Sequence, residues 1–166
     1  MDLALLLGKI GVSPALTQDI SLLLVVTVFS LIFSMFIGRY KLVTILVNIY
    51  VAFAVTTVLP MQFFTDYLYR LVFFLALVVV LTLLDKKLFE VYISGSGTGF
   101  LWWVFVMSFL EVIFLLSIVL VIVPKKIALN FVSPTAMEYL ISENARFIWM
   151  VVPLIFMVFI HKRLNR

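Results

Sequence analysis

Apolar residues in this chain fall into long, nearly unbroken runs separated by short polar clusters, not into strand-like alternation or a one-sided amphipathic stripe. The longest run, 100–123 (FLWWVFVMSFLEVIFLLSIVLVIV), holds 24 residues and one charged side chain, Glu111. A helix rising ~1.5 Å per residue makes that run roughly 36 Å long, against a bilayer hydrocarbon core of about 30 Å. Glu111 falls near its middle. An acid there costs roughly 3 kcal/mol even on lenient insertion scales, so other helices are expected to surround it.

The remaining runs repeat the pattern. A first span is expected over 20–37, with Ser30, Ser34 and Gly38 recurring every fourth residue, so that they share one helix face and let another backbone approach closely. Gly38-Arg39-Tyr40-Lys41 turns the chain so tightly that the second span, 42–59, must return antiparallel beside it. That second run carries its own small and polar stripe, Thr44, Asn48, Ala52 and Thr56, and stops at Pro60. A third span covers 67–84, reaching a workable length if Arg70 snorkels to the boundary, and Asp85-Lys86-Lys87 closes it. The glycines at 95, 97 and 99 read as a flexible linker, since a phosphate loop needs a strand before it and a βαβ setting that this pattern lacks.

Pro124-Lys125-Lys126 marks the water boundary after the fourth run. Ser133 then reads as an N-cap with Pro134 at the first helical position of a short interfacial helix. Met137, Leu140 and Ile141 share one of its faces, and Glu138, Ser142 and Glu143 the other. The final run, 146–160, is read as a fifth span kinked at Pro153, although its length also fits a re-entrant or interfacial segment. Residues 1–19 read as a surface-lying lead-in; their basic residue follows a short apolar patch, the reverse of a signal peptide. The expected fold is all-α, a polytopic transmembrane helix bundle of four to five spans plus one short interfacial helix.

Composition narrows the function. With 66% hydrophobic and 12% charged residues, the chain has too little polar surface for a dispersed soluble domain, and its first partner is the lipid bilayer. The net charge of +4 gathers at run ends, not in a stripe interleaved with aromatics, which argues against nucleic-acid binding. A second copy of the chain in a homo-oligomer, or a larger membrane complex, is the other partner expected of it. Without cysteine, and with His161 as the single histidine, no metal or other cofactor is expected. An enzyme is not expected either, because Ser108 and Ser117 lie far in depth from His161 at a helix end. Trp102, Trp103 and Trp149 sit near run ends as interface anchors.

With five spans, Arg39, Lys41, Lys86, Lys87, Lys162, Arg163 and Arg166 share one side, and Lys9, Arg70, Lys125, Lys126 and Arg146 the other. The positive-inside rule then sets the N-terminus outside and the C-terminus in the cytoplasm; if the last run does not cross, both ends are cytoplasmic.

Glu111 carries the one candidate chemistry. In the first reading it donates, as a neutral acid, to a neighbouring helix, with Ser108 one turn earlier, Asn48 at similar depth and the Thr56 stripe completing a polar centre. Glu111→Gln is then neutral for folding and Glu111→Leu loosens the bundle. In the second it is a proton or cation site in a small oligomeric transporter or channel.

This layout resembles the colicin V production protein family of bacterial inner-membrane proteins over about residues 20–124. The likeness rests on a first helix ending in Gly38-Arg39, a second helix with small residues, a third closing in Asp85-Lys86, and a glycine-bearing approach to the fourth. The family more usually has arginine before the glycine, arginine after the aspartate and a glycine-rich start to the fourth helix; here the glycines stop at Gly99 and Trp102 and Trp103 follow. The fifth run lies outside the family's common four-helix core. The resemblance implies an outside N-terminus, a role in toxin production, export or envelope maintenance, and no catalytic residue.

Overall fold

A computed structural model describes residues 14–37, 41–60, 66–84 and 98–164, and every regular element among them is a helix. In chain order these are α1 (Pro14–Ile37), α2 (Leu42–Val58), α3 (Tyr67–Leu84), α4 (Thr98–Ile122), α5 (Lys125–Ala128), α6 (Pro134–Ile141) and α7 (Glu143–Leu164). Three are long and apolar enough to cross a membrane, over Leu16–Met35, Tyr67–Leu84 and Leu101–Ile122. The apolar α2 is shorter, at 17 residues. It reaches roughly 26 Å at ~1.5 Å per residue, a little short of a hydrocarbon core of about 30 Å. Helices α6 and α7 qualify together as a fourth, broken span bent by 58°.

Helix α4 is the axis. It touches α1, α2, α3, α6 and α7, as expected of a helix that is apolar all the way round and so has no face to offer water. In its membrane-length window 44% of residues are buried, against 11% in those of α1 and α3, which lie at the periphery. One stripe of α4, with Val104, Met107, Phe114 and Ile118, meets Leu42, Ile45, Leu46, Ile49 and Ala52 of α2 and Phe74 and Val78 of α3. Around the helix from it, Ile113 and Leu120 meet Val26 of α1, Ala128, Val132, and Met137 and Leu140 of α6. Lipid tails are as apolar as these side chains, so close packing, not exclusion from water, holds such faces together. Ser30 shows how: fully buried, it donates its hydroxyl to the Val26 carbonyl of its own helix at 2.7 Å and presents only a small side chain outward.

Side-chain contacts fix the directions of the helices. Asp19 near the start of α1 meets Ser133, beyond the end of α4. Asn48 in α2 meets Thr82 near the end of α3, while Arg70 at the start of α3 reaches toward Thr56. At the start of α4, Trp103 lies against Phe156 and Phe159 of α7, with ring centroids 5.7 and 5.8 Å away. Near the other end of α4, Ser117 and Val121 line a cavity with Arg146 and Met150. Helix α7 therefore runs back along α4 over its length and ends on the side where α4 begins.

Several boundaries depart from the run-based expectation. Helix α1 opens at Pro14, where proline's missing N–H costs nothing, so 14–19 are continuous with the first apolar helix; the rest of the expected lead-in, 1–13, lies outside the described residues. Thr98 and Gly99 belong to α4, not to a linker. Gly38-Arg39, Asp85-Lys86 and the glycines at 95 and 97 lie outside the described residues. The last helix begins at Glu143 and continues through Pro153; the sharp bend falls at Ser142 instead. Ser142 has extended backbone (φ −54°, ψ 152°) and its hydroxyl accepts from the Ala145 N–H at 3.3 Å, so one residue closes α6 and caps α7. The expected start of α6 holds: Ser133 Oγ accepts from the Ala136 N–H at 3.0 Å and Pro134 follows it. Its faces divide as expected too, with Met137 and Leu140 buried and Glu138, Ser142 and Glu143 exposed.

Candidate functional site: a buried acid without a partner

Residues 104, 107, 111, 114 and 118 follow one another at three- and four-residue steps, so Glu111 rides the same α4 stripe that packs on α2 and α3. Its side chain is 0% exposed. Neither carboxyl oxygen has a hydrogen-bond partner, and the hydroxyl of Ser108, one turn earlier and equally buried, has none. Each unsatisfied buried group of this kind costs about 1–3 kcal/mol. The expected shelter from oily neighbours is present. The expected hydrogen bond is not.

The other members of the proposed polar centre are engaged elsewhere. Asn48 donates its amide to Thr82 Oγ1 of α3 at 3.3 Å, and Thr82 donates in turn to the Val78 carbonyl at 2.7 Å. Asn48 thus ties α2 to α3, not to α4. The Thr56 hydroxyl donates to the Ala52 carbonyl of its own helix at 2.7 Å, a local arrangement common for threonine in helices. Of the helix-packing set, Ser30 and Ala52 are fully buried, Ser34 is half-buried, and Gly38 lies outside the described residues.

Run and stripe reasoning missed Tyr50. Its ring tilts 35° against Phe114 at 4.7 Å between centroids, within electrostatic reach of Glu111, and its hydroxyl donates to the Met150 carbonyl of α7. Pro153 lacks the N–H that would bond the Trp149 carbonyl, so the Tyr50 bond falls on the carbonyl next to the one proline frees. Pro153 is fully buried. With Phe156 at Trp103 and Met150 beside Ser117, the antiparallel register sets it near the depth of Glu111. The signal was available: Tyr50 is a tyrosine in the middle of an apolar run, far from either boundary where tyrosine usually sits.

A second polar constellation anchors α6. The Ser133 hydroxyl donates to Asp19 of α1 while accepting from Ala136. At the other end of α6, Ser117 donates to the Leu140 carbonyl at 2.7 Å and Trp149 Nε1 to the Tyr139 carbonyl at 2.9 Å. These donors satisfy carbonyls that a helix end otherwise leaves bare, which lets the break between α6 and α7 sit against α4. A cavity of about 270 Å³ between α1, α4 and α6 has apolar walls, with Asp19 among its lining residues. Among the described residues, no group of three or more acids and histidines is placed to hold a metal.

Fold and site together define a multi-pass helical membrane protein with a carboxyl group sealed in its central helix. No family model, curated protein or solved structure matches the chain.

Proposed function

We propose that this chain is a non-enzymatic inner-membrane protein that works through helix contacts in the bilayer, in toxin production or export or in envelope maintenance, as its resemblance to the colicin V production family suggests. The supporting observation is the disposition of α1 and α3. Among described side chains, α1 buries Val26 and Ser30 and α3 buries Phe74 and Val78, leaving Phe29, Ile32, Val72 and Val79 on broad outward faces. Such faces are available to lipid or to another membrane protein. The N-terminus is outside and the C-terminus cytoplasmic in this reading, as the positive-inside count of seven basic residues against five suggests. Photo-crosslinkers at Phe29 and Val72 in native membranes should trap a component of a toxin exporter or envelope machinery, and deletion should impair that system. Adducts to lipid alone, with unimpaired secretion and envelope, would refute the reading.

One observation favours a second reading. The unpartnered oxygens of Glu111 beside the unpartnered Ser108 hydroxyl suit a group that exchanges a proton or holds a cation in a small oligomeric transporter. Purified protein in liposomes should then carry a proton or cation flux that Glu111→Gln abolishes. Equal flux from both proteins would remove this reading.

A further inference from the structure

We propose that the groove where α4, α5, α6 and α7 converge binds the headgroup of an anionic phospholipid, with Lys125 and Arg146 holding its phosphate. The groove, of about 920 Å³, lies at the end of α4, where the chain leaves the apolar run through Pro124. Its walls are of two kinds. Leu120, Val123, Met137 and Ile141 make an apolar flank reaching back along α4, while Lys125 and Arg146 bring positive charge to the same space.

Arg146 carries the argument. Its Nε is buried and has no hydrogen-bond partner, and neither Glu138, which also lines the groove, nor nearby Glu143 pairs with it among the described residues. The rest of the side chain is half-buried at the groove wall, and the planar fork of a guanidinium matches two phosphate oxygens, so a phosphate seated there would supply the partner that Nε lacks. Lys125, exposed at the rim, supplies a second charge. Glu138 is the opposing feature, and a zwitterionic lipid that brings its own cation gains less from the two basic residues than an anionic one. The apolar flank selects lipid over free phosphate, because it offers an acyl chain a wall to lie along at the membrane boundary.

The test uses the full chain purified in detergent, with native mass spectrometry and thermal unfolding as readouts. Phosphatidylglycerol should be retained and should raise the unfolding temperature, phosphatidylcholine should do neither, and inorganic phosphate at equal concentration should not displace the bound lipid. Lys125→Gln with Arg146→Gln should weaken phosphatidylglycerol binding about tenfold or more, Lys125→Gln alone by less, and Lys126→Gln, outside the groove, should leave it unchanged. Equal retention of the two lipids would overturn the proposal, as would displacement by inorganic phosphate or undiminished binding in Lys125→Gln. The lipid comparison and the single exposed-lysine variant decide the matter even if the double variant fails to fold.

Discussion

Replacing Glu111 separates a structural acid from one retained for another purpose, and the structure reverses the sign that helix packing alone would assign. If Glu111 donated to Asn48, Glu111→Leu would break a bond between helices and loosen the bundle. Asn48 is bonded to Thr82, however, and both Glu111 oxygens lack partners. Removing an unsatisfied buried polar group recovers its desolvation cost, about 1–3 kcal/mol. Leucine differs in shape from the glutamate it replaces, and such repacking costs under about 1.5 kcal/mol. The net expectation for Glu111→Leu is a stabilisation of about 1 kcal/mol. Glu111→Gln keeps a polar head in the same place and should lie within about 0.5 kcal/mol of the parent chain. Unfolding in mixed micelles of rising SDS fraction, followed by fluorescence of Trp103 and Trp149, measures both differences on one protein. A loss of more than about 1 kcal/mol in Glu111→Leu, with Glu111→Gln unchanged, would mean that the carboxyl makes a stabilising bond and would refute the reasoning.

Four further substitutions probe the joints around α4. Ser133→Ala removes both the cap on Ala136 and the link to Asp19; it should cost about 1–2 kcal/mol and raise hydrogen exchange over 134–141 before any other helix. Ser117→Ala and Trp149→Phe each leave one carbonyl of the last turn of α6 without its donor; each should cost about 1 kcal/mol, with protease nicking near Ser142 as a second readout. Tyr50→Phe keeps the ring against Phe114 but loses the bond to Met150; a loss of about 1 kcal/mol should come with faster exchange in α7 around Pro153, and unchanged exchange there would show that the bond does not brace the helix.

The sequence disclosed what depends on one segment alone. Apolar runs became helices, Ser133-Pro134 opened α6 as the capping rules require, and Met137 and Leu140 took the inward face that their spacing demanded. Glu111 was sealed because it lies on the stripe of α4 that packs on neighbouring helices, while Leu101 and Trp102 of the same helix stay exposed. What depends on the azimuth of one helix about another stayed hidden. A four-residue stripe names a face but not its neighbour, so Asn48 was expected opposite Glu111 when α3 supplied its partner. Backbone acceptors are hidden for a related reason: the Leu140, Tyr139 and Met150 carbonyls that receive Ser117, Trp149 and Tyr50 leave no mark in residue identity.

The contrast between the two polar regions bears on what Glu111 is for. Around α6 the helix ends are matched, although Arg146 Nε nearby is not: Ser117 and Trp149 serve carbonyls, Ser142 closes one helix and caps the next, and Ser133 both donates and accepts. A bundle able to satisfy an interrupted helix inside apolar surroundings has the means to satisfy one carboxyl as well, with Asn48 on the neighbouring helix and Tyr50 within electrostatic reach. It commits both to other acceptors and leaves Glu111 and Ser108 unmatched one turn apart. Leucine at 111 would complete the stripe at no polar cost, so packing alone gives no reason for an acid there. Helix α7 is itself relieved of one backbone bond by Pro153. Tyr50, within electrostatic reach of Glu111, is bonded to the Met150 carbonyl next to the one that Pro153 frees, so the acid and the interrupted stretch of α7 share one neighbour.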